Sequence, residues 1–210
     1  MNATPGVKTI VLFCTLLALA VVDSFLSKTS WVIPFNMTVS SAVFNTRLAL
    51  PWLTGIMIAF TQIGSVPVLL VLVIVLTAWT GFRKHWRDSA RLLVVAAVAR
   101  ILVVVLKNLV KSPRPDLIPP PPPLHMPGDY GFPSGHSLMS MAILGSAAAI
   151  IARHSDAGAV KVIVTICGVF LILGVGISRI YVGAHWANDV VGGYLFGGCV
   201  LALSHLYAKD

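Results

Sequence analysis

The sequence predicts an all-α, polytopic membrane protein: a six-transmembrane-helix bundle with short interfacial helices between spans one and two. Three observations carry this. The 210 residues are 57% hydrophobic and only 10% charged, against about 25% charged in soluble domains. Mean hydropathy is +0.91. Several apolar runs approach about 20 residues, the length that crosses a bilayer as a helix. Residues 1–210 are read as one integral membrane domain.

The formal net charge is +8, and the chain has no Glu. On a soluble protein this would point to nucleic acid. Here it reads as Lys and Arg enrichment in cytoplasmic loops, so no nucleic-acid partner is expected. Cys14, Cys167 and Cys199 fall inside apolar runs, with no spacing that suggests a metal site or disulfide framework.

The first span runs from about Val7 to Phe25 and is read as a retained helix, because no small-x-small cleavage site follows a short core. From Ser27 to about Ile63 polar residues interrupt the apolar pattern. Short interfacial helices are expected there, broken near Pro34 and Pro51. Asn36-Met37-Thr38 fits a glycosylation tripeptide but carries little weight. The second span covers about Val66 to Thr80, with a continuous helix through Gly64-Ser65-Val66-Pro67 left open. A basic loop, Phe82 to Arg91, leads to the third span, about Leu92 to Val110. Pro119 to Pro123 read as a stiff spacer. The fourth span covers about Ser134 to Ala152, the fifth Val162 to Ile177 and the sixth Asp189 to Leu206.

With the N-terminus inside, eight of the 15 Lys and Arg fall on the cytoplasmic side and six on the outer side. Three of those six belong to a candidate site, so the bias favours cytoplasmic termini. This topology brings three polar segments to the outer face. They are Lys107 to Pro115, Pro133 to His136, and Ser178 to Asp189.

Those segments hold the residue types that phosphoryl transfer needs. Arg114 and Arg179 can make forked contacts to phosphate oxygens, and Lys107 can act as a point charge. Snorkelling to headgroups is the alternative for Lys107, and it is the preferred reading of Lys111. Ser134 is a good helix cap and Gly135 permits close approach, at a helix start able to receive an anion. An ordinary helix start with an interfacial His136 is the alternative. His185 and Asp189 are four residues apart, so the carboxylate can orient the imidazole as a nucleophile; a simple helix-start ion pair is the alternative. His136, protonated, would serve the leaving oxygen. His85, His125, His154 and His205 have no comparable partners in the sequence. Arg100, seven residues before Lys107, is either a channel residue or internally paired.

The pattern Lys107-x6-Arg114-Pro115, then Pro133-Ser134-Gly135-His136, then Ser178-Arg179-x5-His185-x3-Asp189 resembles the type 2 phosphatidic acid phosphatase superfamily. The resemblance implies a membrane lipid phosphatase with His185 as nucleophile, Asp189 orienting it and His136 as acid. It implies Lys107, Arg114 and Arg179 around the phosphate, with Ser134 and Gly135 assisting, and no metal or cofactor. The short six-span form looks most like bacterial enzymes acting on undecaprenyl diphosphate or phosphatidylglycerophosphate. Undecaprenyl diphosphate is the first expectation, phosphatidylglycerophosphate the second and phosphatidic acid the third. The expected setting is the bacterial inner membrane with the site facing outward. An anion transporter is the competing class, although its ionisable groups should lie near the midplane. A binding protein with a dead site would lack a motif residue, and none is missing.

Overall fold

A computed structural model describes residues 5–116, 119–125 and 128–206; Lys209, counted above as cytoplasmic, lies outside them. The described residues form helices and connecting loops, without strands. The helices are α1 (Pro5–Leu26), α2 (Ile33–Ala49), α3 (Leu53–Ile63), α4 (Val66–Phe82), α5 (Trp86–Val110), α6 (Gly135–Arg153), α7 (Gly158–Tyr181) and α8 (Ala187–Leu206). A single 3-10 turn, Ser30–Val32, precedes α2.

Five of these helices are long and apolar enough to cross a membrane, and α3 with α4 makes a sixth crossing as a pair bent by 53°. The bend falls at Gly64-Ser65, where Pro67 sits in the first turn of α4. The continuous helix left open there is not formed. The expected breaks at Pro34 and Pro51 are present: Pro34 lies in the first turn of α2, and α2 ends before Pro51.

Helices α6 and α8 form the centre, packed on each other, while α1 lies on α8, α5 and α7 on α6, and α3 on α7. Small residues make the central contact possible. A Cβ on Gly193 would stand 2.7 Å from the Ser134 carbonyl oxygen, and one on Gly197 would stand 2.5 Å from that of Leu138. Backbones can approach this closely only where side chains are missing. Large apolar side chains such as Phe25, Ile101 and Phe170 point outward, as expected of lipid-facing surface.

The basic loop before the third span is shorter than the charge pattern predicts. Helix α5 starts at Trp86, so Asp88 and Arg91 are helical and buried. Their partners are distant in sequence. Asp88 pairs with Arg153 at 3.0 Å and His154 at 2.7 Å, and Arg91 donates to Ser204 at 3.0 Å. His85 stacks on His154 at 4.0 Å, and His205 lies 3.2 Å from Arg91. Three of the four histidines read as partnerless therefore belong to this cluster. Asn36 is also buried and donates to Asn188 at 2.7 Å, so it is not an accessible glycosylation site.

Candidate active site

The C-terminal end of α5, the N-terminus of α6, the α7–α8 turn and the loop between α5 and α6 meet at one end of the bundle. Helix α5 stops at Val110, with Lys111 left-handed at φ 54°, and Pro113 cannot continue it. The chain then carries Arg114 back over the bundle end. Helix α7 runs through Ser178 and Arg179, which therefore lie in its last turn and not in the expected loop. His185 is in the turn before α8, and Asp189 is in the first turn of that helix.

These groups surround a cavity of about 140 Å³. Its walls include Lys107, Arg114, Gly135, His136, Arg179 and His185, together with Gly64, Val66, Arg100, Val103, Asp129 and Met139. Of the eight residues singled out for the site, six therefore line one space. Asp189 stands behind His185, fully buried. Ser134 does not line the cavity. Its N–H donates to the Asp189 carbonyl oxygen at 2.8 Å, and its hydroxyl caps α6 by accepting from the Ser137 N–H at 3.4 Å. It joins the second segment to the third, with no donor left over from its backbone for an anion.

The imidazole of His185 is held from both sides. Nδ1 lies 3.4 Å from Asp189 Oδ2, which also accepts from the Trp186 N–H at 3.0 Å. Nε2 lies 3.2 Å from Arg114 Nη1. A guanidinium can only donate, so Nε2 must be the lone-pair nitrogen. The ring proton then sits on Nδ1, facing the carboxylate. Burial first, and then Arg114, Arg179 and Lys107, push the His185 pKa well below the ordinary value near 6.5. The neutral ring is favoured, with its lone-pair nitrogen turned to Arg114.

Neutral oxygens hold much of the cationic wall. Arg114 donates to the Ala184 carbonyl at 2.5 Å and through Nε to the Asp129 carbonyl at 2.8 Å. Lys107 donates to the Tyr130 carbonyl oxygen. Arg179 lies 3.5 Å from Thr61 Oγ1, and its buried Nε has no partner among the described residues. An unpaired buried donor is costly and is ready to receive an oxygen. The His136 ring makes no hydrogen bond among the described residues and faces the same space.

Sequence reasoning missed Asp129. Its carboxylate bridges Arg114 and Lys107, the latter at 3.0 Å, although its side chain is 54% exposed. Partial burial would raise its pKa, but hydrogen bonds and charges from Arg114 and Lys107 prevail and hold it below the ordinary carboxylate value. Its position among just seven acidic residues, between two cationic segments, was the available signal. Thr61 was missed too. It lies 2.8 Å from Ser178 across the α3–α7 contact, and nothing in its local sequence marks it.

Residues 88–210 match the PAP2 superfamily. The chain belongs to that superfamily. Phosphatidylglycerophosphatase B of Bacillus subtilis is 35% identical over 150 residues, covering 70% of this chain and 71% of the relative. An undecaprenyl-diphosphatase of Sulfolobus acidocaldarius is 28% identical over 184 residues, covering 82% and 78%. The crystal structure of a transmembrane PAP2-type phosphatidylglycerolphosphate phosphatase from Bacillus subtilis superposes with a TM-score of 0.86 at 29% identity, covering 94% of this chain and 96% of that one. As a PAP2 member with this fold, the chain is an integral membrane phosphatase acting on lipid phosphates.

Proposed function

We propose that the chain removes the terminal phosphate of a membrane lipid through a phosphohistidine on His185. The carrying observation is the His185 ring itself. Its proton is fixed toward Asp189, and Nε2 opens on a cavity walled by Lys107, Arg114 and Arg179. Phosphate oxygens would draw Arg114 away from Nε2 and onto the substrate. Nε2 would then attack phosphorus while the bond to the leaving oxygen breaks, and His136, which would take up a proton as the phosphate anion offsets the surrounding cations, would give it to that oxygen. Water would next attack phosphorus, giving a proton to His136, while the phosphorus–Nε2 bond breaks, the electron pair returns to His185 and inorganic phosphate leaves. The cations stabilise the charge on the equatorial oxygens, so the step is proposed to need no metal.

Phosphatidylglycerophosphate moves ahead of undecaprenyl diphosphate as the proposed substrate. The support is the higher identity to phosphatidylglycerophosphatase B and the nearly complete superposition on a phosphatase of that kind. Undecaprenyl diphosphate stays as the second reading because of the archaeal relative. The site is proposed to face outward in a bacterial inner membrane, since the cationic loops away from it are the richer ones.

The test is phosphate release by purified protein in mixed micelles, with His185→Ala beside it. Turnover should vanish in the variant, and radiolabelled phosphate should attach to the wild-type protein in an alkali-stable, acid-labile form. Retained turnover in the variant would sink the nucleophile assignment. A strict requirement for a divalent metal would sink the metal-free step.

A further inference from the structure

Arg100 lies seven residues before Lys107 on α5, close to two full turns, so the two share a helix face about 10.5 Å apart along the axis. Both line the cavity that holds His185. Lys107 stands at the catalytic end, and Arg100 stands further back along α5, midway down the helix and exposed at the cavity's edge. Among the described residues, no hydrogen bond or ion pair holds the Arg100 side chain. A guanidinium at that depth is costly unless it meets an anion or water.

The surroundings say which anion can reach it. The cavity wall beside Arg100 includes Val66, 41% exposed, at the start of α4, and the neighbouring Ile101 and Val104 face outward at 62% and 44%. Arg100 therefore stands between the cationic end of the cavity and lipid-facing surface. A lipid with its terminal phosphate at His185 must run from that end into the bilayer, past Arg100.

Resting on the proposed phosphatase reading, we infer that Arg100 recognises a second phosphate, on the lipid side of the one removed. The substrate class is then a lipid with two phosphates in series, joined directly or through a glycerol. A lipid with one phosphate presents only an uncharged ester at this point. The two kinds of two-phosphate lipid offer the same anion at different spacings, and the experiment separates them.

The experiment compares wild type, Arg100→Ala and Arg100→Lys, all full-length in mixed micelles. The substrates are phosphatidylglycerophosphate, undecaprenyl diphosphate and phosphatidic acid of similar chain type. The readout is the ratio of kcat/KM for each two-phosphate lipid to that for phosphatidic acid. The ratio should fall roughly 10- to 100-fold in Arg100→Ala for at least one of the two, the range of a charge-assisted hydrogen bond. Arg100→Lys should recover part of it, since the charge returns without the fork. The lipid whose ratio falls further identifies the spacing. Unchanged ratios, including a parallel loss on all three lipids from general damage, would overturn the inference while leaving the phosphatase reading standing. Wild-type protein that releases phosphate from none of the lipids would overturn both.

Discussion

Removing the Asp129 charge should tighten phosphate binding. In the structure its carboxylate takes the two cations a substrate phosphate would use, Arg114 and Lys107. Asp129→Asn removes that competitor and keeps the loop anchored, because the backbone carbonyls of Asp129 and Tyr130 still accept from Arg114 and Lys107. Asp129 is half exposed, so each pair falls in the range of solvent-screened ion pairs, about 0.2–1 kcal/mol. Two such pairs amount to about 0.4–2 kcal/mol, a factor of roughly 2 to 30 in apparent affinity. The assay is steady-state hydrolysis in mixed micelles, with inorganic phosphate as a competitive inhibitor. KM and the inhibition constant should both fall by that factor, kcat should hold, and the difference should shrink with salt. A rise in KM with a fall in kcat would refute the reasoning. It would mean that Asp129 organises the two cations for substrate and does not compete for them.

Asp189→Asn should lower kcat by about 10²- to 10⁴-fold with little change in KM, because the His185 ring loses the charge that fixes its tautomer; full activity would dismiss the orienting role. Gly197→Ala should destabilise by about 1–3 kcal/mol, since the new methyl would stand 2.5 Å from the Leu138 carbonyl oxygen; an unchanged thermal midpoint in detergent would show that α6 and α8 can part freely. The pH dependence follows from His185, whose folded pKa is depressed well below 6.5. Below that value the unfolded chain takes up a proton that the folded chain refuses, so stability present above it is lost as pH falls toward the folded value. His185→Gln should flatten this acid limb in thermal melts, and equal slopes in the two proteins would mean that folded His185 protonates normally.

The six crossings and the candidate site were legible for different reasons. Crossings announce themselves because apolar runs of bilayer length are rare in other settings. The site stood out because a chain with 10% charged residues places its cations and histidines at fixed spacings beside those runs. What stayed hidden depends on partners far away in sequence. Asp88 and Arg91 read as loop residues because their partners Arg153, His154 and Ser204 lie 65 or more positions later. Asn36 read as interfacial because Asn188 is 152 residues away. Asp129 has partners 15 and 22 positions back, too far for helical spacing and across a proline-rich stretch that masks any pattern. The length of α7 was underestimated because Ser178 and Arg179 are polar, yet the helix buries both against α3 through Thr61.

The two ends of the bundle treat buried charge in opposite ways, and the contrast explains why one end can do chemistry. At the end away from the cavity, Asp88 meets Arg153 and His154 directly. Breaking one partner there would strand a buried charge, so the cluster serves to join α5 to α6. At the cavity end, Lys107, Arg114 and Arg179 lean on carbonyl and hydroxyl oxygens. Neutral acceptors orient cations without cancelling their field. Burial and then that field disfavour the protonated form of His185, and under the proposed reaction the same field would attract a phosphate. Among the described residues, the carboxylate that pairs with these cations belongs to Asp129, whose side chain is half exposed on a loop. Asp189 stands behind the histidine, facing Nδ1, and makes no ion pair with the three cations among the described residues. Three cations against one half-exposed carboxylate leave net positive charge at this end of the bundle, which is where the proposed reaction needs it for the lipid phosphate.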